Sequence, residues 1–172
     1  MTVERPETVA RERQERIAEL YAVHAPDAAR LAYLLTGNKQ LAEDVVQDAF
    51  VKILGRFRDR GSVESFKAYL RATVINVARG HFRRLRVERN WQQRQRGWLD
   101  DVVTKQPDVE TRDEMWSRLQ TLPYRQRAAL VLRYYEDLSE NETADVMQCS
   151  PGAVKSLTSR AMSTLRGEQG AR

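Results

Sequence analysis

The segment from Cys149 to Arg166 carries polar side chains whose types and helical spacing could contact DNA. Four of them share one predicted face and none is acidic: Lys155, Ser156, Ser159 and Arg160. Short side chains let a helix approach the groove closely, and lysine or arginine can reach phosphates and guanine edges. The alternative is an ordinary solvated helix face, but such a face usually mixes charge signs. The pattern therefore favours DNA contact by this helix.

A helix-turn-helix is predicted around this segment. Ser139 is a predicted N-cap with Glu142 three positions later, which is the spacing of a capping box. A tight turn at Gln148 should follow the short helix that this box starts. Ser150 then caps the next helix, and Pro151 occupies its first position, where a missing N–H costs nothing. Two helices joined by so short a turn form a helix-turn-helix.

A second polar cluster is acidic. Asp44, Gln47 and Asp48 follow the i, i+3, i+4 spacing of one helix face, beside an apolar stripe. An acidic patch repels DNA phosphates, so within a chain of formal net charge +5 it suits a protein partner better. A solvated helix face explains the cluster equally well, and sequence alone leaves both interpretations open.

Arginines concentrate at the end of the third predicted helix, in the stretch ARGHFRRLRVER. Cations in a last turn can simply offset the helix dipole. The five present exceed that need and favour an electrostatic seat for DNA: Arg79, Arg83, Arg84, Arg86 and Arg89.

The elements that position these side chains are all predicted to be helical. The fold expected is all-α, with two small helical domains, an N-terminal helical bundle and a C-terminal helix-turn-helix domain, joined by a flexible linker. Apolar residues recur at helical spacing from Ile17, and Pro26 is expected to kink or break the first helix. The predicted divisions are a disordered tail 1–14, the bundle 15–90, the linker 91–112, the helix-turn-helix domain 113–167 and a tail 168–172.

Composition excludes several classes of protein. One cysteine among 172 residues rules out an intramolecular disulfide. The N-terminus lacks the apolar segment of a signal peptide, and no run reaches the length of a membrane span, so a cytoplasmic protein is expected. His24 and His81 lie far apart, and no glycine-rich phosphate loop is present. We therefore predict no enzyme, no metal site and no cofactor.

Two parts of the chain resemble one family. The stretch LPYRQRAALVLRYYEDLSENETADVMQCSPGAVKSLTSRAMSTLR is similar to the C-terminal, promoter-contacting domain of bacterial sigma factors of the extracytoplasmic-function group. LTGNKQLAEDVVQDAFVKIL and SFKAYLRATVINVARGHFRRLR resemble the N-terminal domain of the same group, most of all in an actinobacterial subgroup. The resemblance covers about 15–90 and 113–167. It implies a subunit that binds core RNA polymerase, through the clamp helices and flap, and directs it to promoter DNA. An anti-sigma factor is a common further partner in the family.

The resemblance also implies roles for individual residues. The outward residues of the last helix fall where the family contacts the minus-thirty-five element: Lys155, Ser156, Ser159 and Arg160. Asn76 falls where it binds an unstacked minus-ten base, which an amide can hydrogen-bond through its paired donor and acceptor. The base pocket would come from the loop Arg60, Gly61, Ser62 and Val63, beside Arg79, Arg83 and Arg84. Asp44, Gln47, Asp48 and Phe50 fall on the helix that docks the clamp helices.

Two departures from the family pattern and two other functions need weighing. Gln148 stands where the family often has glycine, and Thr143 stands where an apolar residue is usual.

A stand-alone helix-turn-helix regulator would be a homodimer on palindromic sites, which leaves the acidic cluster and the arginines unexplained. A pure protein-interaction adaptor leaves Lys155 and Arg160 unexplained. A promoter-directing sigma factor explains all of these groups.

Overall fold

The computed structural model describes residues 6–56, 63–96 and 114–167. Every secondary-structure element in these ranges is a helix. No strand occurs within these ranges. The linker from 97 to 113, the loop from 57 to 62 and both chain ends lie outside them. The helices are α1 (Pro6–Thr36), α2 (Lys39–Arg56), α3 (Val63–Arg96), α4 (Glu114–Thr121), α5 (Tyr124–Leu130), α6 (Glu140–Met147) and α7 (Pro151–Gly167). A π-helical turn, Val131–Tyr135, continues α5.

The first three helices form the predicted bundle. Its centre consists of large apolar side chains that are completely buried: Leu35, Val45, Ile53, Phe66 and Val74. Gly37 separates α1 from α2 with a left-handed φ of 70°, and the Asn38 side chain accepts from the Leu41 amide at 2.9 Å to start α2. Gly37 can end α1 here because glycine adopts positive φ without strain.

Three helix boundaries differ from the sequence prediction. The tail predicted to be disordered through residue 14 is helical from Pro6, a residue that suits a first helical position. An exposed i, i+4 ion pair, Arg11 to Glu15 at 3.1 Å, supports this extension. Pro26 lies inside α1 and does not end it. α3 continues to Arg96, into the predicted linker that begins at residue 91, because this stretch includes neither glycine nor proline.

The C-terminal unit contains the predicted helix-turn-helix. The Ser139 hydroxyl accepts from the Glu142 amide at 3.2 Å and the Glu142 carboxylate accepts from the Ser139 amide at 2.8 Å, so the capping box is confirmed. Gln148 ends α6 at φ 52° and ψ 54°, a left-handed conformation. The Ser150 hydroxyl accepts from the Ala153 amide at 3.2 Å and caps α7.

The two units pack against each other through one continuous apolar cluster. Side chains of the C-terminal unit, among them Ala128, Leu132 and Met147, belong to the same buried cluster as the centre of the N-terminal bundle. A smaller cluster around Leu122 and Ala161 lies within the C-terminal unit. The sequence predicted two units but not this mutual packing.

Candidate nucleic-acid interface

α7 presents the predicted DNA-contacting face to solvent. Val154 and Ala161 are completely buried and fix the inner side of the helix. The outward residues are all exposed: Lys155, Ser156, Ser159 and Arg160. Neither cation forms an ion pair with any residue in the described part of the chain. Both charges are consequently available to an external anion such as a phosphate.

α3 carries the second candidate site, centred on Asn76. This residue is half-buried, and its Oδ1 accepts from Arg79 Nη2 at 2.9 Å. The same Arg79 nitrogen donates to Gln148 Oε1 at 3.4 Å, so the turn of the helix-turn-helix lies beside the Asn76 side chain. The sequence indicated Asn76 and Arg79 separately but gave no signal for their contact with Gln148.

The remaining predicted minus-ten residues divide into two groups. Arg83 and Arg84 are exposed on α3 and leave a cationic surface facing solvent. The loop residues Arg60, Gly61 and Ser62 lie outside the described residues, and Val63 is the first residue of α3. A base pocket in that loop stays a prediction.

Two polar side chains lie beside this part of α3, the half-buried Tyr124 and the buried Arg127. The Tyr124 hydroxyl donates to the Ile75 carbonyl at 2.8 Å, and burial raises the pKa of Tyr124, so the phenol stays protonated at neutral pH. Burial lowers the pKa of Arg127 to about 10, opposed by the nearby Tyr124 group, which leaves this guanidinium charged at neutral pH. The Arg127 side chain also lies over the Phe82 ring, 5.7 Å from its centroid.

The acidic cluster lies on the exposed side of α2. Asp44, Gln47 and Asp48 all face solvent. Asp48 Oδ2 is 3.4 Å from His81 Nε2, a contact that is ionic only when the histidine is protonated. These three side chains therefore form one surface, as their spacing predicted.

Phe50 does not belong to that surface. Its ring is 4% exposed and packs edge-on against Tyr21 with centroids 4.5 Å apart. A ring at this depth cannot contact a partner, so Phe50 instead holds α2 against α1. Val51, which the sequence analysis passed over, is 65% exposed. It lies seven positions after Asp44 on the same helix face, and that i+7 spacing was the available signal.

Models of two known domain families match the chain. Residues 20–88 match sigma-70 region 2, and residues 112–165 match sigma-70 region 4. The chain is 33% identical over 132 residues to the RNA polymerase sigma-E factor of Streptomyces coelicolor, covering 76% of this chain and 73% of that protein. The chain belongs to the extracytoplasmic-function sigma factors. It is thus a subunit that binds core RNA polymerase and directs promoter recognition and transcription initiation.

Other similar proteins are also RNA polymerase sigma factors. The sigma factor is 30% identical to the ECF RNA polymerase sigma factor SigE of Mycolicibacterium smegmatis, over 86% of this chain and 59% of that one. These actinobacterial matches agree with the subgroup that the sequence suggested. It is also 26% identical to SigV of Bacillus subtilis, over 83% and 84% of the two chains.

Solved structures share the fold. The sigma factor RpoE from Bartonella quintana, solved in complex with the anti-sigma factor NepR, has a TM-score of 0.64 at 22% identity. The match covers 91% of this chain and 98% of that one. CnrH, solved with the cytosolic domain of CnrY, has a TM-score of 0.62 at 24% identity and covers 96% and 94% of the two chains. Both confirm an arrangement of two helical domains.

The described residues contain neither a cluster of metal ligands nor a membrane-spanning helix. No group of three or more histidine, cysteine, aspartate or glutamate side chains is placed to hold a metal ion there. Among the helices described, none is long and apolar enough to cross a membrane.

Proposed function

We propose that the sigma factor holds a promoter at two points, with α7 on the minus-thirty-five element and α3 on the minus-ten element. α7 would lie in the major groove, which is wide enough to admit a helix. Lys155 and Arg160 would then contact phosphates and base edges, and Ser156 and Ser159 would allow close approach. The proposal is supported by the exposure of all four side chains and by the absence of an acid among them.

The minus-ten element would meet Asn76 and the arginines of α3. An amide offers a donor and an acceptor to the edge of an unstacked base. Arg79, Arg83 and Arg84 are exposed on the same helix, so they can attract the surrounding backbone phosphates. The two sites would then use different chemistry, one with a groove-bound helix and the other with a single unpaired base.

The polymerase clamp would bind the exposed face of α2. This face comprises Asp44, Gln47, Asp48 and Val51, all solvent-exposed. Acidic side chains around one apolar contact suit a protein partner with a basic surface and disfavour DNA. Val51 takes the apolar role that the sequence analysis gave to Phe50.

One observation carries the proposal, namely the separation of charge between faces. The exposed face of α2 is acidic, whereas those of α3 and α7 are cationic. A homodimeric regulator would need no acidic docking face, so this alternative is not favoured. The role proposed is not enzymatic. We place it in the cytoplasm, where the polymerase and the chromosome meet. An anti-sigma factor is a further proposed partner, because the RpoE relative was solved with one.

The experiment is co-elution with core polymerase followed by transcription from a promoter. The Asp44→Arg, Asp48→Arg double variant and the Val51→Lys variant should both lose co-elution, because each places a cation on the docking face. Val23→Lys is the matched control, since Val23 is 68% exposed on α1, outside that face. Equal co-elution of all four proteins would refute the docking assignment.

A further inference from the structure

Gly80 lies in the middle of α3, where glycine is an unfavourable residue. The helix runs without interruption from Val63 to Arg96. Glycine in a helix interior is less stable than alanine, because it loses more backbone freedom on folding. Helix formation by itself therefore does not explain this residue.

The packing of the protein does not explain Gly80 either. A Cβ atom added here would meet no atom of the described residues within 4 Å, apart from the helix itself. Gly37 is the opposite case, because its φ of 70° is left-handed and a Cβ atom there would collide with the Gln120 side chain. The fold thus requires glycine at position 37, whereas the space beside Gly80 is open to a partner.

Gly80 lies on the face of α3 that carries the proposed minus-ten site. Positions four and seven apart share a helix face, so Gly80 follows Asn76 by one turn. Arg83 and Arg84 come one turn after Gly80, and both are exposed. At 1.5 Å per residue, Gly80 is about 6 Å along the helix axis from Asn76 on one side and from Arg84 on the other. Bare backbone therefore separates the amide from the cations.

Val87 adds an apolar group to the same face. It lies seven positions after Gly80, and its side chain is 56% exposed. A single exposed valine is ordinary on a protein surface. Here, however, it continues the face that Gly80 leaves open, so the cations Arg83 and Arg84 are bordered on both sides by surface that offers no hydrogen bond.

A nucleotide of a single DNA strand presents groups that match this face. Its base edge can hydrogen-bond to an amide, and its phosphate attracts guanidinium groups. The deoxyribose between them exposes mostly C–H groups, which gain attraction only at van der Waals contact. A gap of 0.5–1 Å already loses about a quarter to a half of that attraction. A side chain at position 80 would hold the sugar away from the helix.

We propose that Gly80 is a contact residue for promoter DNA, and that the deoxyribose next to the base held by Asn76 packs directly on the α3 backbone. Arg83 and Arg84 hold the adjoining phosphates, and Val87 extends the apolar contact. This inference rests on the proposed minus-ten function of α3. It adds that the missing side chain sets how closely the strand approaches, and hence whether Asn76 reaches its base.

Substitution at Gly80 should move stability and DNA binding in opposite directions. Gly80→Ala and Gly80→Leu introduce better helix formers, so the melting temperature of the sigma factor should rise by about 2–4 °C. Both should weaken binding of the polymerase holoenzyme to a single-stranded oligonucleotide that carries the proximal promoter motif. For the bulkier leucine the loss should be about tenfold.

Ala68→Leu is the matched control. Ala68 is exposed on α3, about two turns before Asn76 and outside the proposed contact. The control adds the same apolar side chain to the same helix and should bind the oligonucleotide like wild type. Gly80 variants that are more stable and bind the oligonucleotide as tightly as wild type would overturn the proposal.

Oligonucleotides with one abasic nucleotide separate the sugar from the base. Each abasic site removes a base but keeps the deoxyribose and its phosphates. At the position that Asn76 contacts, the defect of Asn76→Ala should disappear, whereas the defect of Gly80→Leu should remain about tenfold. If the Gly80→Leu defect also disappears there, a base rather than a sugar packs on Gly80, and the proposal fails.

Asn76→Ala distinguishes this failure from failure of the minus-ten assignment. Weakened binding by Asn76→Ala, together with normal binding by both Gly80 variants, overturns only the Gly80 contact. Normal binding of the oligonucleotide by Asn76→Ala and by an Arg83→Ala, Arg84→Ala double variant overturns the minus-ten assignment itself, and the Gly80 contact with it.

Discussion

Gln148 holds a backbone conformation that glycine adopts more easily. Its φ of 52° is left-handed, a region that costs an ordinary residue about 1–2 kcal/mol. The resemblance to the family had already drawn attention to this position, where glycine was the residue expected. The structure adds that the Gln148 side chain accepts a hydrogen bond from Arg79 of α3.

Replacing Gln148 should therefore separate backbone from side-chain effects. Gln148→Gly should raise the free energy of unfolding by about 1 kcal/mol, because the left-handed strain disappears. Gln148→Ala removes the same amide but keeps the strain, so it should not be stabilising. Urea unfolding monitored by circular dichroism compares the three proteins, and equal stability of the two variants would contradict a strained backbone.

Thr143 buries a hydroxyl without a partner. The side chain is completely buried, and its Oγ1 has no hydrogen bond to any described residue. An unsatisfied buried hydroxyl costs about 1–3 kcal/mol. Thr143→Val should consequently stabilise the protein by about 1 kcal/mol, whereas Thr143→Ser, which keeps the hydroxyl and loses a methyl, should destabilise it. A less stable valine variant would show that the hydroxyl is satisfied.

Single residues were predicted well where helical spacing decides exposure. Lys155 and Arg160 are exposed as their spacing required. Phe50 was assigned to the docking face, although large aromatic residues bury more often than not. Val51 was missed although its i+7 spacing from Asp44 places it on the same helix face. How deeply a residue at the edge of an apolar helix face is buried depends on how the neighbouring helix packs against it. The spacing of residues in the sequence does not give that packing.

At the scale of elements, local chemistry determined the helix starts. The capping box of α6 and the serine cap of α7 both form as predicted, because each needs only residues three positions apart. The π-helical turn Val131–Tyr135 was not predicted. In this turn the Glu136 amide donates to the Val131 carbonyl, five residues earlier, at 3.0 Å. No residue type in the sequence indicates a hydrogen bond of this span.

The capping box predicts a pH dependence. Hydrogen bonds from the Ser139 side chain, and then from its backbone, lower the pKa of Glu142. Because the folded pKa lies below the unfolded value of 4.5, the stabilisation is complete above that value and is lost as pH falls through the folded one. The melting temperature of Glu142→Gln should fall below wild type at pH 7 and match it near pH 2. Glu140→Gln, an acid in the same turn, is the control, and a difference that persists in acid would contradict the box.

The α7 face predicts a selective defect. Arg160→Ala should reduce initiation at promoters while co-elution with polymerase stays intact, because the α2 face is unchanged. If Arg160 contacts a guanine, the loss should be about 1–3 kcal/mol. Arg166→Ala, an exposed arginine in the last turn of α7, is the control. Unmutated protein that initiates equally on native and scrambled minus-thirty-five sequences would refute base contact.

At the scale of the whole molecule, the sequence predicted two units but not how they meet. Arg127 lies in a stretch whose arginines look like ordinary surface residues, and its partner Leu35 is 92 positions away. No local pattern links a cation to the end of a distant helix. The prediction of two helical domains is therefore confirmed, but it left out the packing between them.

The most direct test of the two-point promoter assignment is to map transcription starts made on genomic DNA by core polymerase and this protein. We expect transcription starts that share two upstream motifs at fixed spacing. Arg160→Ala should weaken dependence on the distal motif, and Asn76→Ala dependence on the proximal one. Starts without a shared upstream pair of motifs, or loss of both dependences from either substitution, would contradict it.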